Sequence, residues 1–349
     1  MRHHVLNRRR FSAGAVLAAA ALAAPGLRAQ GGRPEKSRVA IAVGGKASFY
    51  YLPLTIAEQL GYFKAEGLDV EISDFAGGAR ALQAVVGGSA DVVSGAYEHT
   101  INLQNKGQQF QAFVLQGRAP QIALGVSAKT LPDYRSVADL RGRRIGVTAP
   151  GSSTNMMANL VLARAGLKAA DVSFIGVGTS AGALAAVRSG QIDAICNIDP
   201  VMTMLEQKGD VRIVFDTRTL KGTREVFGGS MPAACLYAPL DFVQKNPNTT
   251  QALTHAIVHA LKWLQTAGPG DIIKTVPEAY LLGDRGLYLA SFEKVREAIA
   301  LDGVFPEDGG ATALRALASF DATLKADRID LTRTWTNQFA LRAKARFKA

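Results

Sequence analysis

Cysteine is scarce in this sequence, which limits the chemistry that the chain offers. Only Cys196 and Cys235 occur, so no disulfide framework is expected. Both lie in apolar, strand-like contexts, which favours buried free thiols over a bridge, although an exported protein permits either. His255 and His259 are spaced i and i+4 on a predicted helix, but the residues between them lack the glutamate of a zinc-protease signature. We therefore predict no metal site and no cofactor.

Long hydrophobic runs and basic stripes are also missing. The apolar stretch at residues 13–24 is mostly alanine and is shorter than the roughly twenty residues that span a membrane, and no later segment reaches that length. The chain has 40 basic and 29 acidic residues, but residues 1–29 contribute five arginines and no acid. The remaining basic residues are not interleaved with aromatics, so nucleic acid is not an expected partner.

The N-terminus is typical of an export signal. Arg8, Arg9 and Arg10 form a basic region of twin-arginine type before the apolar stretch, and a cleavage site fits near Ala29. An N-terminal anchor or a disordered tail is the alternative, and the general export route remains open. No cysteine follows the apolar stretch, which disfavours a lipoprotein. We expect a soluble mature protein in the periplasm.

The chain uses one pattern twice. Residues 184–196 repeat, 102 positions on, the pattern of residues 82–94: the end of an amphipathic helix, a glycine, a turn ending in Asp, and a buried strand. Each copy is entered through a small-residue loop, at residues 75–79 and 176–180. The repeat extends backwards over a strand, a loop, a helix stopped by glycine and a second strand, so it covers a whole α/β half-domain.

Further helices and strands are expected around the repeats. One helix begins near Pro53, carries Ile56, Leu60 and Phe63 on one face and stops at Gly67. Two apolar strands, at residues 121–127 and 232–238, are predicted to carry the chain into a second lobe and back. The tail is predicted to be mainly helical, with helices over residues 250–266, 278–282, 292–301 and 312–327.

Residues 51–72 closely resemble the first helix and strand of the periplasmic solute-binding proteins of ABC importers, in the nitrate/sulfonate/taurine branch that is related to the thiamine-precursor binders. Residues 139–147, 190–194, 199–200 and 329–337 match the same family pattern. Many members carry an aromatic residue after the Asp-Pro pair, where this chain has Val201, so one wall of the pocket is expected to differ.

The resemblance implies an α/β, two-lobed periplasmic-binding-protein fold of the type II-like class, with a ligand cleft between the lobes and a hinge of two crossing segments. Lobe 1 is expected to comprise residues 38–124 and 235–349, and lobe 2 residues 125–234. The family relationship further implies a monomer that captures a small organic or anionic solute, such as a sulfonate, taurine, nitrate or a pyrimidine, and delivers it to an inner-membrane ABC permease.

In such a fold the ligand lies where loops follow strand ends and helices begin. The loop of residues 151–154 offers backbone N–H groups and three hydroxyls, although its serines are equally suited to capping their own helix. The aromatic candidates also suit core packing, and the two carboxylates, if both face the cleft, disfavour a purely anionic ligand such as nitrate. The predicted ligand-binding residues are Ser48, Phe49, Tyr50, Gly77, Gly78, Tyr97, Glu98, Gly151, Ser152, Ser153, Thr154, Gly178, Thr179 and Asp199.

An enzyme is the main alternative. Residues 178–182, Gly-Thr-Ser-Ala-Gly, match the nucleophile elbow of α/β-hydrolases, and Asp199 and then His255 or His259 follow Ser180 in the order of a triad. Against a secreted serine hydrolase, the first copy has Gly78 in the same loop and no nucleophile. The fold also serves some biosynthetic enzymes, as in menaquinone synthesis, but those are cytoplasmic. We therefore expect a binding protein with no catalytic residues.

Overall fold

The computed structural model describes residues 32–349. The export signal expected over residues 1–29 lies outside the described residues and stays a prediction. Within residues 32–349, no helix combines the length and the apolar character that crossing a bilayer requires.

The described residues contain ten strands and fourteen α-helices, besides seven short 3₁₀ helices. The strands are β1 (Arg38–Val43), β2 (Asp69–Asp74), β3 (Val92–Ala96), β4 (Phe110–Leu115), β5 (Ile122–Ser127), β6 (Arg144–Val147), β7 (Ser173–Gly176), β8 (Ala194–Ile198), β9 (Val211–Asp216) and β10 (Ala234–Pro239). The helices are α1 (Leu52–Gln59), α2 (Tyr62–Ala65), α3 (Gly78–Val86), α4 (Glu98–Asn105), α5 (Ser153–Arg164), α6 (Ala181–Ser189), α7 (Val201–Gln207), α8 (Leu220–Phe227), α9 (Leu240–Lys245), α10 (Pro247–Thr266), α11 (Pro269–Thr275), α12 (Arg285–Val295), α13 (Gly309–Ala318) and α14 (Gln338–Phe347).

The strands form two sheets with equivalent topology. The first sheet has the order β2-β1-β3-β10-β4 and the second β7-β6-β8-β5-β9. In each sheet, the first three strands in this order are parallel. The fourth strand, β10 in the first sheet and β5 in the second, is antiparallel to them and is reached by a segment that crosses from the other sheet. The α/β fold class and the internal duplication expected from the sequence are therefore confirmed.

The repeated aspartate has the same structural role in both halves. Asp91 accepts a hydrogen bond from the backbone N–H of Ala40 at 3.0 Å, and Asp193 accepts one from that of Arg144 at 2.9 Å. Each aspartate therefore ties the turn before the third strand to the start of the first. Gly190, which ends α6, has φ +81°, a conformation that favours glycine.

Two links join the sheets: residues 116–121 between β4 and β5, and residues 217–233 between β9 and β10. The whole of β5 belongs to the second sheet and the whole of β10 to the first. In the tail, α12 packs against α7, and α13 packs against α5 and α8. The C-terminal segment thus contacts elements of both halves, and the lobe boundaries stay a prediction.

Some helix predictions were wrong in detail. The helix expected from Pro53 to Gly67 breaks at Gly61, which has φ +71°, and Leu60 is 37% exposed instead of facing the core. The helix expected over residues 292–301 lies earlier, as α12, and that expected over residues 312–327 ends with α13. Both cysteines are buried free thiols on different sheets, as expected.

Candidate functional site

The first half is the part of the structure built on the first sheet, and the second half is the part built on the second sheet. Loops from the two halves meet at the ends of the parallel strands. The loop after β2 lies against the loop after β6 so closely that a Cβ atom added to Gly77 would lie 2.9 Å from the Cβ of Ala149. Gly45, in the loop after β1, lies likewise against the side chain of Thr179. Side chains larger than a hydrogen atom at either glycine would force these loops apart, so glycine is what allows the halves to approach.

Hydrogen bonds also join the two halves. The Ser152 hydroxyl does not cap its own helix, α5; it accepts a hydrogen bond from the backbone N–H of Ala79, in the first turn of α3, at 3.0 Å. The backbone N–H of Phe49 donates to the carbonyl of Asp199 at 3.2 Å. The capping group expected within the second half therefore serves a helix of the first half, which links the two duplicated helix starts.

Two of the predicted hydroxyls are engaged within their own loops. Ser48 is buried and donates from its hydroxyl to the carbonyl of Gly45 at 2.7 Å. Thr154 is buried, and its hydroxyl accepts from the backbone N–H of Thr148 at 3.1 Å and bonds the Thr148 hydroxyl at 2.9 Å. These side chains fix loop shape.

Two of the predicted aromatic residues belong to the core. The ring of Phe49 packs against that of Tyr288 in α12, with centroids 4.5 Å apart. The Tyr97 hydroxyl bonds the hydroxyl of Thr334 at 2.7 Å. Neither ring is exposed, so packing, one of the two roles considered for Phe49 and Tyr97, accounts for both.

The other loop residues lie around the meeting point of the halves. Gly78 begins α3 with His99, Tyr51 and Ser152 as its neighbours. Ser153 is the half-buried first residue of α5, and Gly151 before it is exposed. The carbonyl of Gly178 accepts from the Asn197 side chain at 2.9 Å, which orients the loop that carries Thr179.

Several buried side-chain polar atoms have no hydrogen-bond partner within residues 32–349. Among the predicted residues these are the Tyr50 hydroxyl, Glu98 Oε1 and Asp199 Oδ2. Sequence analysis missed others, among them His99 Nε2, Gln116 Oε1 and the side-chain amide of Gln121. Because an unsatisfied buried polar group costs on the order of 1–3 kcal/mol, each of these atoms is a candidate for a hydrogen bond to a ligand.

Signals for the missed residues exist in the chain. His99 directly follows Glu98 in the first turn of α4, and its Nδ1 is 2.9 Å from the Tyr237 hydroxyl. Gln116 and Gln121 are the first and last residues of the first crossing segment. Gln121 has φ +57°, an unusual conformation for a residue other than glycine. Strain of this kind is frequent at functional sites.

Burial shifts the titration of the two neighbours at the start of α4 in opposite directions. It raises the pKa of Glu98 from 4.5 to about 7, because desolvation disfavours the carboxylate. It lowers the pKa of His99 from 6.5 to about 4, because desolvation disfavours the imidazolium. Glu98 therefore titrates near neutral pH, and His99 is uncharged at that pH.

Asp199 has a different environment. Desolvation raises its pKa, and the charge of Arg218, 3.7 Å away, and the backbone N–H of Thr203, 2.7 Å away, act against the increase. Arg218 is almost fully buried and also pairs with Glu206 at 3.1 Å and with Asp216 at 2.6 Å. Sequence analysis missed this arginine.

The residues of the alternative serine-hydrolase triad are engaged separately. Ser180 is exposed at the start of α6. His255 Nδ1 lies 3.0 Å from the carboxylate of Glu66, and His259 stacks on Tyr62 with ring centroids 3.7 Å apart. Both histidines thus contact α2 or the residue that follows it, and α10 lies on the side of the first sheet.

Comparisons with known proteins agree with this geometry. The model of the NMT1-like family matches residues 32–275. A solved structure from Bordetella bronchiseptica RB50 is 63% identical, with a TM-score of 0.90 over 90% of this chain and 99% of that one. The alkanesulfonate-binding protein of Xanthomonas axonopodis pv. citri, bound to MOPS, is 20% identical, with a TM-score of 0.63 over 87% and 99% of the chains. The periplasmic nitrate-binding protein of Synechocystis PCC 6803 is 16% identical, with a TM-score of 0.65 over 90% and 89%.

Proposed function

The chain belongs to the NMT1-like family, and from that premise we propose that it is the extracytoplasmic substrate-binding component of an ABC importer. It captures a small organic or anionic solute between two lobes and delivers it to an inner-membrane permease. The observation that carries this proposal is a polar cluster of three residues with unpartnered buried atoms, Tyr50, Glu98 and His99, of which His99 lies against Gly78 where the halves meet.

Binding and closure are coupled in this proposal. The lobes, residues 38–124 with 235–349 and residues 125–234, rotate about the two crossing segments. Closure makes the bond between Ser152 and Ala79, and the ion pair between Lys294 and Glu206 at 2.8 Å links α12 to α7. A ligand stabilises the closed form by its differential affinity for it, and closure excludes water from the polar cluster. The mature protein acts as a periplasmic monomer after cleavage near Ala29.

A disulfide across the meeting point tests this mechanism. A Cβ atom at Gly151 would lie 3.6 Å from the Cβ of Ala79, within the separation that a disulfide spans. In a thermal-shift screen of sulfonates, anions, amines and pyrimidines, we expect no solute to raise the melting temperature of the oxidised Ala79→Cys/Gly151→Cys variant. After reduction, the variant should respond as the wild type does. Because Gly151 has φ +83°, a side chain there strains the backbone, and the single variant Gly151→Cys is the control for that strain. The same thermal shift in the oxidised and the reduced variant would contradict closure between the loops of Ala79 and Gly151.

The size of the expected response is set by mass action. A ligand at one hundred times its dissociation constant stabilises the fold by about 2.7 kcal/mol. A fluorophosphonate probe covers the enzyme alternative, since covalent labelling at Ser180 would support a hydrolase. We expect no labelling.

A further inference from the structure

The Glu98 carboxylate lies in an unusual environment. Glu98 begins α4 directly after the first sheet, is 1% exposed, and its Oε1 has no hydrogen-bond partner in the part of the chain that the structure describes. A buried carboxylate is normally paired or hydrogen-bonded, because desolvation without compensation is costly. This carboxylate is therefore available to a group from outside the chain.

The groups around Glu98 supply no positive charge. The titratable side chains that feel its charge are Tyr50, Tyr51, Tyr97, Cys235 and Tyr237. All are neutral at physiological pH, and no lysine or arginine of residues 32–349 forms an ion pair with Glu98. His99, the next residue, is neutral as well. None of these side chains therefore supplies a cation to the ionised form of Glu98.

The buried cation of the second half offers nothing to an anionic ligand. Arg218 is 4% exposed and is surrounded by the carboxylates of Asp199, Glu206 and Asp216. Its positive charge is thus balanced within the protein, and a sulfonate or nitrate placed beside it would meet three negative charges.

We propose that the ligand is a small, neutral or cationic nitrogenous solute whose N–H group donates a hydrogen bond to Glu98, with the Tyr50 hydroxyl as a second contact. This assignment rests on the proposed function and narrows it. Both side chains are buried in the first half; Glu98 Oε1 has no hydrogen-bond partner in residues 32–349, and the Tyr50 hydroxyl has only the Ser153 side chain beside it. The ligand class differs from the anions named for the sulfonate- and nitrate-binding neighbours. A solute without a hydrogen-bond donor leaves the ionised form of Glu98 without a partner for Oε1.

Matched panels test the assignment by calorimetry on the purified protein. The nitrogenous panel contains cytosine, benzamidine, guanidine and propylamine, and the anionic panel contains nitrate, ethanesulfonate and benzenesulfonate. We expect binding in the first panel only. Glu98→Gln should weaken the tightest binder roughly 10- to 150-fold, as expected for loss of a charge-assisted hydrogen bond, and Tyr50→Phe should weaken it less. Glu71→Gln, an exposed site on β2, is the matched control.

The outcomes distinguish failure of the nitrogenous ligand class from failure of the solute-binding function. Tight binding of an anion that is unchanged by Glu98→Gln would overturn the nitrogenous ligand and leave the solute-binding function standing. A nitrogenous solute whose affinity is the same in wild type, Glu98→Gln and Tyr50→Phe would remove both residues from the site. No response to either panel from the folded protein would overturn the proposed function and this assignment with it.

Discussion

The two halves of the chain each carry an acidic residue just after the third strand, within one residue of the equivalent position. In the second half, Asp199 Oδ1 accepts from the N–H of Thr203, and Oδ2 has no hydrogen-bond partner in the described chain but lies 3.7 Å from the Arg218 guanidinium. In the first half, Glu98 meets tyrosines and a thiol, and its Oε1 stays unpaired within the described chain. The duplicated scaffold is the same, so the difference lies in the neighbouring charge: Asp199 has a cation beside it and Glu98 has none, which is why we propose Glu98 as the ligand contact.

The largest effect should come from breaking the charge cluster of the second half. Arg218→Met leaves Asp199 buried without a cation, which should lower the free energy of unfolding by about 3–5 kcal/mol. Urea denaturation measures it. Arg188→Met removes a half-exposed ion pair and should cost less than about 1 kcal/mol. Similar losses in both variants would contradict the assigned role of Arg218.

The same comparison predicts a pH dependence for Glu98. Because burial raises the folded pKa to about 7, its contribution to stability is full below the unfolded pKa, near 4.5, and is lost as the pH rises through 7. Between pH 5 and 8 the wild type should lose up to about 3 kcal/mol from this group, and Glu98→Gln should not. His99 is present in both proteins and cancels. Parallel stability profiles would contradict the shifted pKa.

A smaller effect distinguishes the two repeated aspartates. Asp193 accepts bonds from the backbone N–H, Nε and Nη2 of Arg144, whereas Asp91 accepts from Ala40 and Lys36. Asp193→Asn should therefore lower the unfolding free energy by about 2 kcal/mol and Asp91→Asn by about 1 kcal/mol. Thermal denaturation of both variants checks the order, and the reverse order would show that the second turn does not depend on Arg144.

The smallest predicted effect concerns closure. Ser152→Ala removes the bond to Ala79 that joins the halves, worth about 1 kcal/mol, so ligand affinity should fall roughly fivefold. Calorimetry with the best solute of the panels measures the change. Ser189→Ala, which removes a local hydrogen bond at the end of α6, is the control. Equal affinities in both variants would remove Ser152 from closure.

Partners distant in sequence explain most differences between expectation and structure. Tyr97 follows a strand and is aromatic, which predicted a place in the site, but Thr334, 237 residues later, takes its hydroxyl. β4 and β9 were not predicted, and each lies at the end of its sheet, paired antiparallel with a strand that arrives through a crossing segment. Sequence periodicity contains no information about such pairing.

The chain's own pattern determined the duplication, because helix ends, glycine turns and buried strands follow from local conformational preference and spacing. It also identified Tyr50 and Glu98 as candidates, since they stand where strands end and helices begin. Only the tertiary structure decided that Asp199 has a cation and that Glu98 has none, because both depend on where Arg218 folds. It also decided that Ser152 caps the helix of the other half, since Ala79 is 73 residues away along the chain.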